Sequence, residues 1–418
     1  MGKMFPELKS SPVITRYNGG MPVLSKEDIP YEAECIFNAG VAKFQGKYVM
    51  LFRNDYRFDG IGAFQKCSIG IAFSEDGIQW KVQEKPFLTI DDQVALMRSR
   101  GLVVDDETKR ILLREGYYSV VNGYKAPFLD KEATKEAGDD RYKEGTSFND
   151  VYALFRFDRD LRETTFKHLV QVEATVRTVC SHTFAESHPE KDAYLVQANY
   201  CTEAEFSEFG LKNYMDNLLK LQSILYKTMT RSNNEAIMHY RKKGFVPIWV
   251  LSKALTFGTM EHFFHLMKPA EKREVCKMIA EATGRAGDNH RYFDPKEARL
   301  SLDPIVKFRN ICAHDERLYC ARIGHRDPAI DYAAMLERVE PFLCESDYES
   351  LLSEFLLTVV AYGKQSQLAV HILNESGVLS NIDRVAQAAV RRLESDDIAD
   401  ALTRVRILTQ QSGGARRA

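Results

Sequence analysis

The stretch KFRNICAHDERLYCARI, residues 307 to 323, sets Arg309, Asn310, His314 and Arg317 within a few helical turns' length of chain. These residue types suit chemistry on a phosphate. An imidazole, with an unperturbed pKa of ~6.5, moves protons near neutral pH as either base or acid. A guanidinium holds two oxygens of an oxyanion in a planar fork without losing its charge. The same four residues also describe the solvated face of an ordinary amphipathic helix, so the pattern alone leaves both readings open.

The element that carries them reads as helical. Asp303 followed by Pro304 is a natural helix start, with the carboxylate capping free amides and the proline at the first helical position. The alternative is a kink in a longer helix. At about 100° per residue, Asn310, His314 and Arg317 stack along one line, with Phe308, Ile311, Cys312, Leu318 and Tyr319 on the opposite arc. Arg309 lies about 140° from His314 by the same geometry and needs its long side chain to converge on a shared ligand.

A chain of 418 residues that is 44% hydrophobic and 11% aromatic can bury a large core, and its length suggests two or three folding units. Fifty-seven basic residues against fifty-nine acidic ones, a net charge of -2, exclude a global positive field, so a nucleic-acid contact must rest on a local patch. No DNA partner is expected. The eight cysteines form no CxxC pair and fit neither a disulfide framework nor a zinc module. The opening MGKMFPELKSSPVIT lacks the apolar core of a signal peptide, and no apolar run reaches the ~18 residues needed to span a bilayer. The expectation is a soluble cytoplasmic protein without membrane contact.

The texture of the chain changes near residue 88. Before it, ECIFNAGVAKF, KYVMLFRND, CSIGIAFSED and IQWKVQ are short, rich in β-branched and aromatic residues, and separated by turn formers. They predict a four-stranded antiparallel meander. After it the period is helical. The longest signal, from TSFNDVYALFRF onward, repeats Phe148, Val151, Tyr152, Phe155, Leu169, Val172, Val176 and Val179 at helical steps, with Thr146 or Ser147 as cap. Amphipathic segments follow at about 210–230, 246–267, 271–283, 331–343, 348–363 and 382–409, with polar turns at RAGDNHRYFD and GHRDPAID and a disordered tail over 411–418. The predicted fold is mainly α with a small N-terminal β-meander, α+β as a whole chain, divided at residues 1–88, 89–410 and 411–418.

Arg309-Asn310-Ile311-Cys312-Ala313-His314 resembles the R-x4-6-H motif of HEPN ribonucleases, in the RN-x-x-AH form of the Abi family of bacterial abortive-infection proteins. LTIDDQVALMRSRGLVVDDE (88–107), YYSVVNGYKAPFL (117–129), EGTSFNDVYALFRFDRDLRETTFKHLVQVEATVRT (144–178) and VPIWVLSKALTFGTM (246–260) are similar to that family in the same order. The likeness covers about residues 88 to 325, with a helical remainder.

The resemblance implies an all-α HEPN-type domain that cleaves RNA without a metal or other cofactor, by attack of a ribose 2′-hydroxyl on the adjacent phosphodiester. It assigns proton transfer to His314 and stabilisation of the developing charge to Arg309. Asn310 would orient the imidazole or bond a phosphate oxygen, and Arg317 would hold the RNA backbone. It further implies a homodimer that joins two motifs in one cleft, a phage-defence toxin, and an RNA or protein antitoxin that restrains it. Where many relatives carry a second histidine, this chain has Asp315, whose charge would oppose phosphate binding. A non-catalytic module that holds RNA on the same helix face is the alternative.

Other candidates have simpler readings. Glu173 and Arg177 are spaced for an intrahelical ion pair. His182 and His188 bracket a helix end, in a solvated or capping role. His262 and His265, in EHFFHLM, lack the arrangement of a zinc-binding HExxH. Arg241-Lys242-Lys243 is either a polar loop or a phosphate contact. Residues 13–57 and 69–80 resemble the first blade of the β-propeller glycoside hydrolases and phosphorylases that act on β-mannosides. Asn38 and Arg53 match that family's sugar-site positions, with Ala39 where proline is usual. A propeller takes ~four to eight blades, so these two residues read as structural relics of a truncated phosphorylase.

Overall fold

The computed structural model describes residues 21–44, 46–58, 64–83, 88–286, 293–324, 329–363, 368–381, 384, 385 and 387. The expected tail over 411–418, and the expected helix over 382–409 apart from 384, 385 and 387, lie outside the described residues, as do parts of the two polar turns. The chain divides into two compact units, one within Met1–Tyr117 and Phe128–Phe148, the other within Tyr118–Pro127 and Asn149–Ala418. The first therefore runs past residue 88. No helix among the described residues is long and apolar enough to cross a membrane.

In the first unit, strands β1 (Cys35–Phe44), β2 (Lys47–Phe58), β3 (Phe64–Ser74) and β4 (Lys81–Val82) form one antiparallel sheet in sequential order. The alternation along β2 explains its two faces. Met50 and Phe52 join Ile29, Ala72 and Val82 in a core, while Leu51 and, on β3, Ile69 are exposed. Phe52 pairs with Gly70 in register. A Cβ at that glycine would sit 2.2 Å from Cζ of Phe52, so the ring lies where any larger residue would intrude. Asn38 falls on β1 at the register shift between Phe37 and Gly40. Arg53 is tied down locally, its Nε donating to Asp55 at 2.8 Å and its guanidinium over the Phe37 ring. Short helices α1 (Ile90–Ser99), α2 (Glu107–Glu115) and α3 (Lys131–Ala137) complete the unit.

The second unit is helical. Its spine is α4 (Phe148–Ser187), 40 residues long. The expected stripe is buried, from Val151 and Phe155 through Leu169, Val172 and Val176 to Val179, with Tyr152 half-buried. After α5 (Glu203–Glu208), α6 (Tyr214–Arg231) and α7 (Glu235–Lys242), the expected 246–267 helix divides into α8 (Ile248–Leu251) and α9 (Phe257–Leu266). Thr256 accepts from the Thr259 amide at 3.2 Å and so starts a new helix. α9 buries Phe257, Met260, Phe263, Phe264 and Leu266 almost completely, as a helix enclosed on several sides must. α10 (Pro269–Ala282), α11 (Pro295–Ala313), α12 (Tyr332–Val339), α13 (Glu345–Gly363) and α14 (Ala369–Glu375) follow.

α11 decides the position of the motif. It begins not at Asp303 but at a capping box in which Asp294 and Glu297 satisfy the first amides, with Pro295 at the start. Pro304 lies inside the helix, so the carbonyl of Leu300, one turn earlier, has no amide to receive. Arg338 of α12 donates to it instead, at 3.3 Å. α11 packs on α9 and α12 through Leu302, Ile305 and Phe308.

Candidate functional site

Arg309 and Asn310 occupy the last turns of α11, and His314 is its C-cap, donating its amide to the Asn310 carbonyl at 2.9 Å. Asp315 then adopts a left-handed conformation, φ 58°, and the Glu316 amide returns to the Ile311 carbonyl at 3.1 Å. That bond closes the helix in a Schellman turn, a place where aspartate is tolerated when glycine is absent. The helix therefore stops before Arg317. The expected line through Asn310, His314 and Arg317 ends at His314. Arg317 turns aside and donates to the Gly123 carbonyl at 2.9 Å.

The turn is anchored from α4. Arg162, 3% exposed, pairs with Asp315 through one nitrogen, while another meets the Glu316 carbonyl at 3.3 Å and Asp158 at 2.9 Å. Asp158 is fully buried and accepts from the Tyr124 hydroxyl at 2.7 Å and from the amides of Leu318 and Tyr319 at 3.0 and 2.8 Å. Four donors suit an ionised carboxylate, although burial pushes its pKa up. The pairing with Arg162 also offsets the charge that Asp315 places beside His314.

Arg309 is held on its inner edge. Its Nε donates to Glu173 at 3.0 Å, its guanidinium lies over the Phe166 ring at 5.5 Å, and one terminal nitrogen approaches Asn310 Oδ1 at 3.4 Å. Glu173 is buried and also takes Arg177, the i,i+4 pair expected from spacing. Two guanidiniums share one carboxylate, leaving a net positive charge. The Arg309 side chain is 25% exposed. His314 is exposed. Cys312 is no nucleophile at neutral pH, since burial pushes its thiol up to about 12.

Beside the turn lies a hollow of about 400 Å³, bordered by Tyr118, Gly123, Tyr124, Phe155, Asp315 and Arg317. Tyr118 is 80% exposed at its edge. Sequence reasoning missed Asp158, Arg162, Tyr124 and Tyr118. Only the i,i+4 spacing of Asp158 and Arg162 hinted at a pair, and nothing in it indicated burial.

The remaining candidates are structural. His188 is not solvated but largely covered, its side chain 9% exposed and its Nε2 2.7 Å from Glu271. His182 is exposed near Glu186. Arg241 closes the turn after α6 by bonding the Thr230 carbonyl at 2.6 Å. Among the described residues no cluster of His, Cys, Asp and Glu is arranged to hold a metal.

A family model described as Abi-like protein matches residues 110–320. The matched residues contain the motif, its α4 partners and the hollow, but not the N-terminal sheet. No curated protein and no solved structure matches the chain.

Proposed function

The chain belongs to the Abi-like protein family, and from that premise we propose that it is a metal-independent endoribonuclease of an abortive-infection system. The observation that carries the reading is Arg309, fixed along its inner edge by Glu173 and Phe166 and about one and a half helical turns from an exposed imidazole at the helix end. A 2′-oxygen bonds to phosphorus, the bond to the 5′-oxygen breaks, and the proton lost by the first oxygen is matched by one gained by the second. His314 performs one of these transfers, and the Arg309 fork carries the extra charge on the non-bridging oxygens. Two motifs joined in a homodimer would divide the two proton transfers. Asn310 orients the imidazole or bonds a phosphate oxygen. Arg317, at the hollow, holds the backbone, and the exposed Tyr118 ring offers a base a stacking surface.

Purified protein incubated with total RNA in EDTA is expected to give fragments ending in 2′,3′-cyclic phosphate and 5′-hydroxyl. Intact RNA under those conditions would remove the proposal. A second reading, in which the protein holds RNA without cutting it, is favoured by Asp315, which is 58% exposed next to His314 despite its pairing. Retention of RNA on the protein with no fragments would support it.

Glu173 acts through Arg309 as a positioning residue. Glu173→Gln keeps the shape but loses the charge that aligns both guanidiniums. Cleavage at saturating RNA should fall on the order of 10²-fold with little change in half-saturation, the expected cost of misplacing a charge-stabilising group. A pure loss of RNA affinity at unchanged maximal rate would contradict that role.

A further inference from the structure

A second cationic site lies at the other end of α11. Lys272 of α10 is only 2% exposed and its ammonium lies 3.8 Å from the centre of the Phe209 ring, attracted by Glu205 and Glu271 but in no ion pair with either among the described residues. The Arg299 guanidinium lies over the same ring at 5.7 Å, and its Nε is buried without a hydrogen-bond partner among the described residues. His265 packs edge-on against that ring, with its Nε2 3.8 Å from Glu261 and without a hydrogen bond among the described residues. A ring face attracts a cation but cannot accept the three hydrogen bonds an ammonium offers. A buried charge left in that condition is costly, and a second cation at the same ring adds repulsion.

Lys272, Arg273 and Lys296 border a cavity of about 200 Å³. It opens at the first turns of α10 and α11, each begun by a proline, where Glu271 accepts from the Lys268 amide and Asp294 from the Lys296 amide, so the helix dipoles add only what those carboxylates leave uncompensated. Its acidic residues are largely committed. Glu205 accepts from the Thr202 amide and hydroxyl at 2.8 and 3.0 Å, and Asp294 from the Lys296 amide at 2.7 Å. Glu208 is exposed.

We propose that this cavity binds a phosphate group, supplied by inorganic phosphate or a phosphomonoester, with Lys272 as its principal ligand and Lys296 and Arg273 at its mouth. It is separate from the motif, because the two ends of α11 lie about 27 Å apart at 1.5 Å per residue. Burial pushes the Lys272 ammonium down to about 8, against the attraction of Glu205 and Glu271.

Thermal unfolding of the full chain tests the site, with inorganic phosphate, AMP and adenosine each compared with chloride at equal ionic strength. Phosphate or AMP at about 100 times its dissociation constant should raise the midpoint by about 5 °C. A larger shift with AMP than with phosphate identifies the phosphomonoester as the ligand. Adenosine should have no effect. Lys272→Met should abolish the shift while melting no lower than wild type in chloride, since an unpaired buried charge is replaced by an apolar chain of similar length. Lys296→Gln, at an exposed position, should weaken the shift and serves if the first variant does not fold. The proposal is overturned if wild type shows no shift beyond chloride, if Lys272→Met or Lys296→Gln responds like wild type, or if adenosine matches AMP.

Discussion

His314→Ala should lower RNA cleavage by about 10²- to 10⁴-fold, the usual contribution of a positioned proton-transfer group. Arg309→Ala should cost about 10²- to 10³-fold, the range for removing one donor to a developing oxyanion. The double variant should lose little more than the worse single one, because groups that act in one step are not additive. Folding offers no escape from this test for His314. Its side chain is exposed at the end of α11, and the cap is made by backbone bonds that alanine retains, so its melting should stay within about 0.5 kcal/mol of wild type. A His314→Ala protein that cuts RNA at the wild-type rate would end the assignment.

The second large effect is on stability. Asp158→Ala removes the acceptor for the Tyr124 hydroxyl, Arg162 and two backbone amides at once. Breaking a buried pair from one side, here leaving Arg162 with Asp315 as its remaining carboxylate, costs about 3–5 kcal/mol. For a unit of this size, that is a fall of about 10 °C in the unfolding midpoint. The turn at residues 315–319 should also loosen, because Arg162 is the group that holds Asp315 and the Glu316 carbonyl. Proteolysis or hydrogen exchange there should rise before the rest of the helical unit opens. Adding Arg162→Met should recover part of the lost stability, since the buried cation that has lost one of its two carboxylates is then removed. The recovery is incomplete because the amides of Leu318 and Tyr319 still lack an acceptor. A single variant that melts like wild type would show that the network contributes nothing.

The two predictions separate the roles of α11 and α4. The residues proposed to face substrate sit on one helix end, and the residues that hold that end in place come from a helix some 150 positions earlier in the chain. Activity lost with unchanged melting points to the first group. Activity lost together with a lowered midpoint points to the second.

The sequence by itself determined the classes of element and the residues offered for chemistry. Alternating strands before residue 88 and helical steps after it express local periodicities that burial imposes on any chain, and they reappear as the sheet and as α4. The Arg309–His314 string and the Glu173–Arg177 pair were legible for the same reason, since spacing along one helix is a local property. Only the tertiary structure decided where α11 begins and ends. Asp303-Pro304 has the chemistry of a helix start, yet Arg338 from α12 compensates the lost bond and the helix runs through it. His314 became a C-cap rather than a mid-helix residue because Asp315 could turn left-handed against a buried Arg162. Glu173 became the Arg309 partner across 136 positions. Such contacts depend on which helices pack together, and no periodicity within a single segment records that.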